Sequence, residues 1–197
     1  AKEPGSSMHI HQSILRLDDD SNIFSRPDGS EDETFLHYIG GLQKYVPLLI
    51  ALFAPNVNAY RRFTREISAP ISLQWGYDNR TTGFRVPVSD ARARRVENRF
   101  AGADANPYLA IAASIVAGYL GMKQKLVPTA PCPGNAYDEE ITVARSLEEA
   151  LRYIDEDSAK QYDFKEPWDS EKNQKLATKM PPAFGCPSNP ESLQNCT

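Results

Sequence analysis

The stretch YRRFTREISAPISLQWGYDNRTTGFRVP, from Tyr60 to Pro87, sets five arginines (Arg61, Arg62, Arg65, Arg80 and Arg85) around two short apolar runs. ISLQWGY and TGFRVPV carry the β-branched and aromatic residues of strands, and DNRT between them reads as the turn of a β-hairpin. Extended to Arg99, the region holds nine arginines, four carboxylates and no lysine, a net +5 inside a chain whose formal net charge is −4. The cationic charge is therefore local. A guanidinium fork grips carboxylate or phosphate through two parallel hydrogen bonds, whereas an ammonium is a point charge on a flexible stem. Exclusive use of arginine thus directs attention to a small anionic ligand, with a solvated face or structural ion pairs as the plain alternatives. Nucleic acid fits poorly, because the chain is acidic overall and lacks interleaved aromatic residues.

Around this region the chain alternates strand, loop and helix patterns. GSSMHIHQSILRL has strand periodicity, which puts His9 and His11 on one face. DDDSNIFSRPDGSEDE is a polar loop, and from Glu33 the run TFLHYIGGLQKYVPLLIALFAP predicts a helix broken near Pro47. ENRF predicts a further short strand. NPYLAIAASIVAGYLGMKQKL is the clearest helix, with Asn106 as N-cap and Pro107 in its first turn; its apolar character on most sides predicts burial in the core. Beyond Leu126 come a Pro-rich connector and a short helix, SLEEALRYIDED, opened by a Ser146 to Glu149 capping box. The tail from Lys165 is polar, rich in Pro, Asn and Ser, and is expected to be loosely packed.

With 197 residues, 41% of them hydrophobic, the chain can bury a core of its own. No apolar run is long enough to span a bilayer, and no secretory leader pattern is present. Three cysteines, Cys132, Cys186 and Cys196, form no Cys-x-x-Cys pair and no even-numbered disulfide framework. A reducing, cytoplasmic setting is the default expectation. The chain begins with Ala rather than Met, which suggests a piece of something longer.

Two imidazoles on one strand face can supply a divalent-metal ligand and a second polar contact, although paired histidines are also often structural. Glu97 is more unusual. In RRVENR, alternation puts Arg95, Glu97 and Arg99 on one side of a strand, and burying such a row is costly unless ligands pair with it.

At this point GSSMHIHQS, NAYRRFTREISAP, DNRTTGFRVP, ARRVENRF and ANPYLAIAA, in this order and spacing, resemble the C-terminal part of the glutamine synthetase family, from about Gly5 to Leu126. Within it YIGGLQ, ISAPI and QWGYDNRTTGFR look most like the γ-glutamylpolyamine (γ-glutamylputrescine) synthetase branch. The resemblance implies an α/β (α+β) fold, part of a glutamine synthetase/guanido kinase-like catalytic domain with a curved antiparallel sheet and outer helices. Residues 1–126 would belong to that domain, 127–164 would be its connector and short helix, and 165–197 a divergent, disordered tail.

The same resemblance implies roles. His9 and Glu97 would ligate a divalent metal, Mg²⁺ or Mn²⁺. His11 and Ser13 would lie near bound ATP, Arg80, Arg85 and Arg95 around its phosphates, and Arg92 near the adenine. Arg62 would hold the carboxylate of glutamate, and Arg99 its reacting end. Arg80, Arg99 and Ser68 would serve catalysis. The implied activity is ATP-dependent formation of a γ-glutamyl amide through γ-glutamyl phosphate. The acceptor would be an amine, with ordinary glutamine synthetase using ammonium and an inactive truncated piece as alternatives.

Three departures matter. Ser68 stands where glutamine synthetases carry a flap glutamate that helps bind ammonium, which favours a longer amine such as putrescine, unless neighbouring Glu66 substitutes. Pro4 stands where many have Asn near the substrate amino group. The family's other metal-ligating glutamates and its β-grasp domain lie upstream of the matched region, so this piece is expected to be inactive alone. Complete members form double-ringed homo-oligomers; no nucleic acid or membrane partner is expected.

Overall fold

A computed structural model describes residues 6–65 and 68–154. Its sheet has four short strands, β1 (Ile10–Gln12), β2 (Trp75–Tyr77), β3 (Phe84–Val86) and β4 (Val96–Asn98), in the order β1-β4-β3-β2. β4 lies between β1 and β3 and is antiparallel to both. This mixed α/β architecture agrees with the fold class implied by the sequence.

The predicted hairpin is not formed: β2 pairs with β3 in parallel, Trp75 opposite Phe84. A tight hairpin turn favours Gly or Asn at two consecutive left-handed positions, and the DNRT connection supplies no glycine. Instead Asp78 alone turns left-handed (φ 45°). Asn79 Oδ1 then accepts from the amide of Thr81 at 3.0 Å and from its hydroxyl at 2.6 Å. The chain loops back until the Phe84 amide donates to the Gln74 carbonyl at 3.1 Å. β2 is left at the sheet edge, where the Cys132 amide donates to the Trp75 carbonyl at 2.8 Å. The Pro-rich connector thus covers the edge's unpaired groups.

The helix from Glu33 breaks near Pro47, as expected. α1 (Glu33–Tyr45) is capped by Asp32, whose carboxylate accepts from the Thr34 amide at 2.8 Å. A single 3-10 turn (Pro47–Leu49) leads into α2 (Ile50–Phe53). α3 (Pro107–Gln124) starts at the cap Asn106, which accepts from the amides of Tyr108 and Leu109. It ends where Lys125 turns left-handed (φ 53°).

α3 is not buried on most sides. Its small residues, including Ala113, Ala117, Gly118 and Gly121, face inward, while Tyr108 (84% exposed), Ile111, Ile115, Val116 and Tyr119 face out. α1 and α3 meet where both lack side chains. A Cβ on Gly41 would lie 2.3 Å from the Ala117 carbonyl oxygen, and one on Gly121 would lie 2.3 Å from that of His37. Below the sheet, Asn98 donates to Ser114 at 3.0 Å and the Tyr38 hydroxyl to Gln12 at 2.7 Å, so the strands are tied to both helices. α4 (Leu147–Ile154) begins after Ser146, whose hydroxyl accepts from the Glu149 amide at 3.1 Å. Pro4, Glu66 and the tail 165–197 lie outside the described residues.

Candidate active site

Glu97 sits at the centre of β4, and the register of both flanking strands converges on it. His11 of β1 and Arg85 of β3 are its direct cross-strand partners, and side chains so paired lie on one face within reach of each other. His9 Nδ1 approaches Glu97 Oε1 at 2.7 Å, and His11 Nε2 lies 3.8 Å from the same oxygen. Arg85 donates to Oε2 at 3.0 Å and Arg99 to Oε1 at 3.3 Å. Arg95 donates to His11 Nδ1 at 3.4 Å. Alternation along the strand thus brings Arg95, Glu97 and Arg99 to one face, as the sequence predicts.

Glu97 is 2% exposed. Burial pushes its carboxyl upward, but hydrogen bonds from His9 and Arg85 and the charge of Arg99 outweigh that and hold it at about 2. It is a carboxylate throughout the physiological range. Burial pulls His11 down, and the nearby guanidinium of Arg95 acts in the same sense, against the pull of Glu97. Arg85 also loses water, but donating to Asp78 and Glu97 more than restores its charge.

The cavity above this face has a volume of about 590 Å³ and is lined by His9, Ser68, Arg80, Arg85, Arg99 and Tyr137, with Glu97 in its floor. Arg85 and Arg99 pair with the one carboxylate, and Arg80 lines the same cavity. Arg99 is pinned by donating to the Arg80 carbonyl at 2.9 Å, yet its Nε is buried without a partner among the described residues. A buried unpaired donor is costly. The donor set also fits part of a divalent-ion site. His9 and Glu97 are juxtaposed and of the right chemistry, but among the described residues no three His, Cys, Asp or Glu side chains form a metal-holding group. Further ligands would have to come from elsewhere.

Comparison with known proteins gives these groups a context. The model of the glutamine synthetase catalytic domain matches residues 1–169. The chain belongs to the glutamine synthetase catalytic-domain family. It is 41% identical over 162 residues to a glutamine synthetase of Vibrio cholerae, covering 78% of this chain and 34% of that protein. It is 40% identical over 153 residues to a glutamate–isopropylamine ligase of a Pseudomonas species (77% and 33%). It is 40% identical over 147 residues to a γ-glutamylethanolamide synthetase of Streptomyces coelicolor (74% and 31%). The chain spans about a third of the length of these relatives.

Not every residue singled out in the sequence enters this cavity. Arg62 does not line it, donating to the Phe100 carbonyl at 2.6 Å and stacking 4.8 Å over the Phe63 ring. Burial pulls its guanidinium down, and its Nε, like that of Arg99, has no partner among the described residues. Arg92 borders a separate cavity of about 730 Å³ with Arg16, Arg26, Asp19 and Asp20. Ser13 is exposed and lines neither. Arg65 is a structural tie, donating to the carbonyls of Tyr137 and Glu139.

Sequence reasoning missed Tyr137. It lies in a stretch read as connector, and only long-range contacts with Thr81 and Arg65 carry it to the cavity.

Proposed function

We propose that this chain is part of an ATP-dependent ligase joining the γ-carboxyl of glutamate to an amine. The observation that carries this is the pair Arg85 and Arg99, held on the sheet by bonds to buried Glu97, with Arg80 from the β2–β3 loop lining the same cavity. A carboxylate is a poor acyl donor until one oxygen carries a leaving group. Attack of the γ-carboxylate oxygen on the γ-phosphorus of ATP expels ADP and makes an acyl phosphate. The lone pair of the amine then attacks the acyl carbon, phosphate leaves and the nitrogen sheds a proton. Both steps spread negative charge over oxygens, which preorganised guanidiniums stabilise in a site shielded from water.

Arg80, Arg85 and Arg95 would hold the phosphates, Arg99 the reacting carboxyl, and Arg62 the remote carboxylate of glutamate. His11, Ser13 and Arg92 would line the path of the nucleotide. His9 and Glu97 would hold Mg²⁺ or Mn²⁺, which neutralises phosphate charge when bound. Glu97 in turn fixes the forks of Arg85 and Arg99.

Ser68 removes a negative charge from the acceptor's side of the cavity and leaves space, and this supports an acceptor longer than ammonium, with a polyamine such as putrescine first. The deciding measurement is ADP release with glutamate and magnesium, comparing ammonium, putrescine and longer polyamines. It is made on the natural polypeptide carrying this chain and on the 197-residue chain itself. Turnover by the natural polypeptide with putrescine preferred, and little or none by the chain with its partial metal site, is expected. Preference for ammonium would make this an ordinary glutamine synthetase, and absence of glutamate-dependent ADP release with every amine would overturn the ligase assignment.

A further inference from the structure

Tyr137 stands in the cavity wall together with Ser68, Arg80 and Arg99, although it comes from the far end of the connector. It is carried on a 3-10 turn (Ala136–Asp138) capped by Asn135, whose side chain accepts from the Tyr137 amide at 3.1 Å. Two main-chain ties fix that turn against the site. The Ala136 amide donates to Thr81 Oγ1 at 2.8 Å, next to Arg80, and the Tyr137 carbonyl accepts from Arg65, three residues before Ser68. The ring is therefore positioned by both segments that frame the cavity, through bonds that do not involve its own side chain.

The ring is half-buried, and burial holds the phenol neutral and its proton more tightly than usual, against the nearby charge of Arg99. It shares the cavity lining with Arg80, Arg85 and Arg99, while Asp138, Glu139 and Glu140 follow it directly at the surface. An amine must be neutral to attack an acyl carbon, and the cationic interior favours that neutral form over the ammonium. An aromatic face, by contrast, accepts an alkyl chain and attracts a cation beyond it.

We infer that Tyr137 determines acceptor specificity, walling the space left by Ser68 so that a primary amine with an extended alkyl chain and a distal cation packs along its ring. This rests on the ligase assignment above and names a residue for it.

The test is kcat/KM for putrescine, propylamine and ammonium in the natural polypeptide and its Tyr137→Phe and Tyr137→Ala variants, with KM for ATP and glutamate measured alongside. Tyr137→Phe keeps the ring and should stay within about threefold of the parent for every amine. Tyr137→Ala should lose at least about tenfold for putrescine, less for propylamine and least for ammonium, with KM for ATP and glutamate within about twofold. Equal losses for all three amines, or no loss for putrescine, would overturn the role of Tyr137 and leave the ligase assignment standing. Absence of turnover by the parent with any amine would overturn both. Should Tyr137→Ala fail to fold, Tyr137→Leu retains bulk without an aromatic face and carries the same expectation for putrescine against propylamine.

Discussion

Glu97 illustrates how much one residue can organise. Its buried carboxylate is the common counter-charge of Arg85 and Arg99 and lies within reach of two histidines. Glu97→Ala would strand two mostly buried guanidiniums, and losing one partner of a buried pair costs about 3–5 kcal/mol. Urea unfolding of the chain should show a loss of that order, whereas Asp78→Ala, which removes the more exposed partner of Arg85, should cost about 1 kcal/mol or less. Equal effects would mean that Glu97 is not the hub of the cluster. At this scale the sequence was informative because period-two alternation in a strand is a strong constraint. RRVENR could only present Arg95, Glu97 and Arg99 together, and His-x-His could only present both imidazoles. Arg62 shows the limit: side-chain direction in a 3-10 turn (Val57–Arg62) follows no such period, so its place outside the cavity lining was not legible.

Elements were legible where local chemistry dictates them and obscure where packing does. Asn106-Pro107 announces the start of α3 and Pro47 the break after α1, because caps and proline act within a few residues. The parallel pairing of β2 and β3 was missed because a strand's partner direction depends on a loop whose bonds run between Asn79 and the residues around Cys132, more than fifty positions away. The exposure of α3 was missed because an apolar helix in sequence looks the same whether one face or all faces are covered. Its two faces should respond oppositely to substitution. Gly41→Ala pushes a methyl into the backbone of Ala117 and Gly121, and overpacking of this kind costs about 1–3 kcal/mol. Ile115→Ser lies on the outward face of the isolated chain and should stay within about 1 kcal/mol, the helix-propensity and surface range. Thermal denaturation of the two variants decides it; a larger loss for Ile115→Ser would show that the outward face is covered in solution.

Across the whole molecule, charge is sorted rather than mixed. The region from Arg61 to Arg99 is net positive while the chain is net negative, and the fold gathers Arg80, Arg85 and Arg99 around one cavity while the hydrophobic cluster is made of apolar and aromatic residues. That core relies on buried phenols. Burial pushes the Tyr38 hydroxyl well above its ordinary value of 10.0, and it donates to Gln12 in the interior. Tyr60 is raised by burial and by Glu149; outside the core, half-exposed Tyr77 is pushed up to about 12 by partial desolvation and its bond to Glu31. A raised folded-state value means that the native chain holds these protons more tightly than the unfolded chain does. Their contribution to stability is complete below about pH 10 and is lost as pH rises through the folded values. The urea midpoint should therefore be flat up to about pH 9 and fall steeply beyond about pH 10. Lysines also begin to titrate there, so Tyr38→Phe separates the causes. It removes the most buried of these phenols and should make the alkaline fall shallower, even though losing the bond to Gln12 lowers the neutral-pH midpoint. A fall of unchanged steepness in Tyr38→Phe would place the alkaline limit in surface charge instead of the buried phenol.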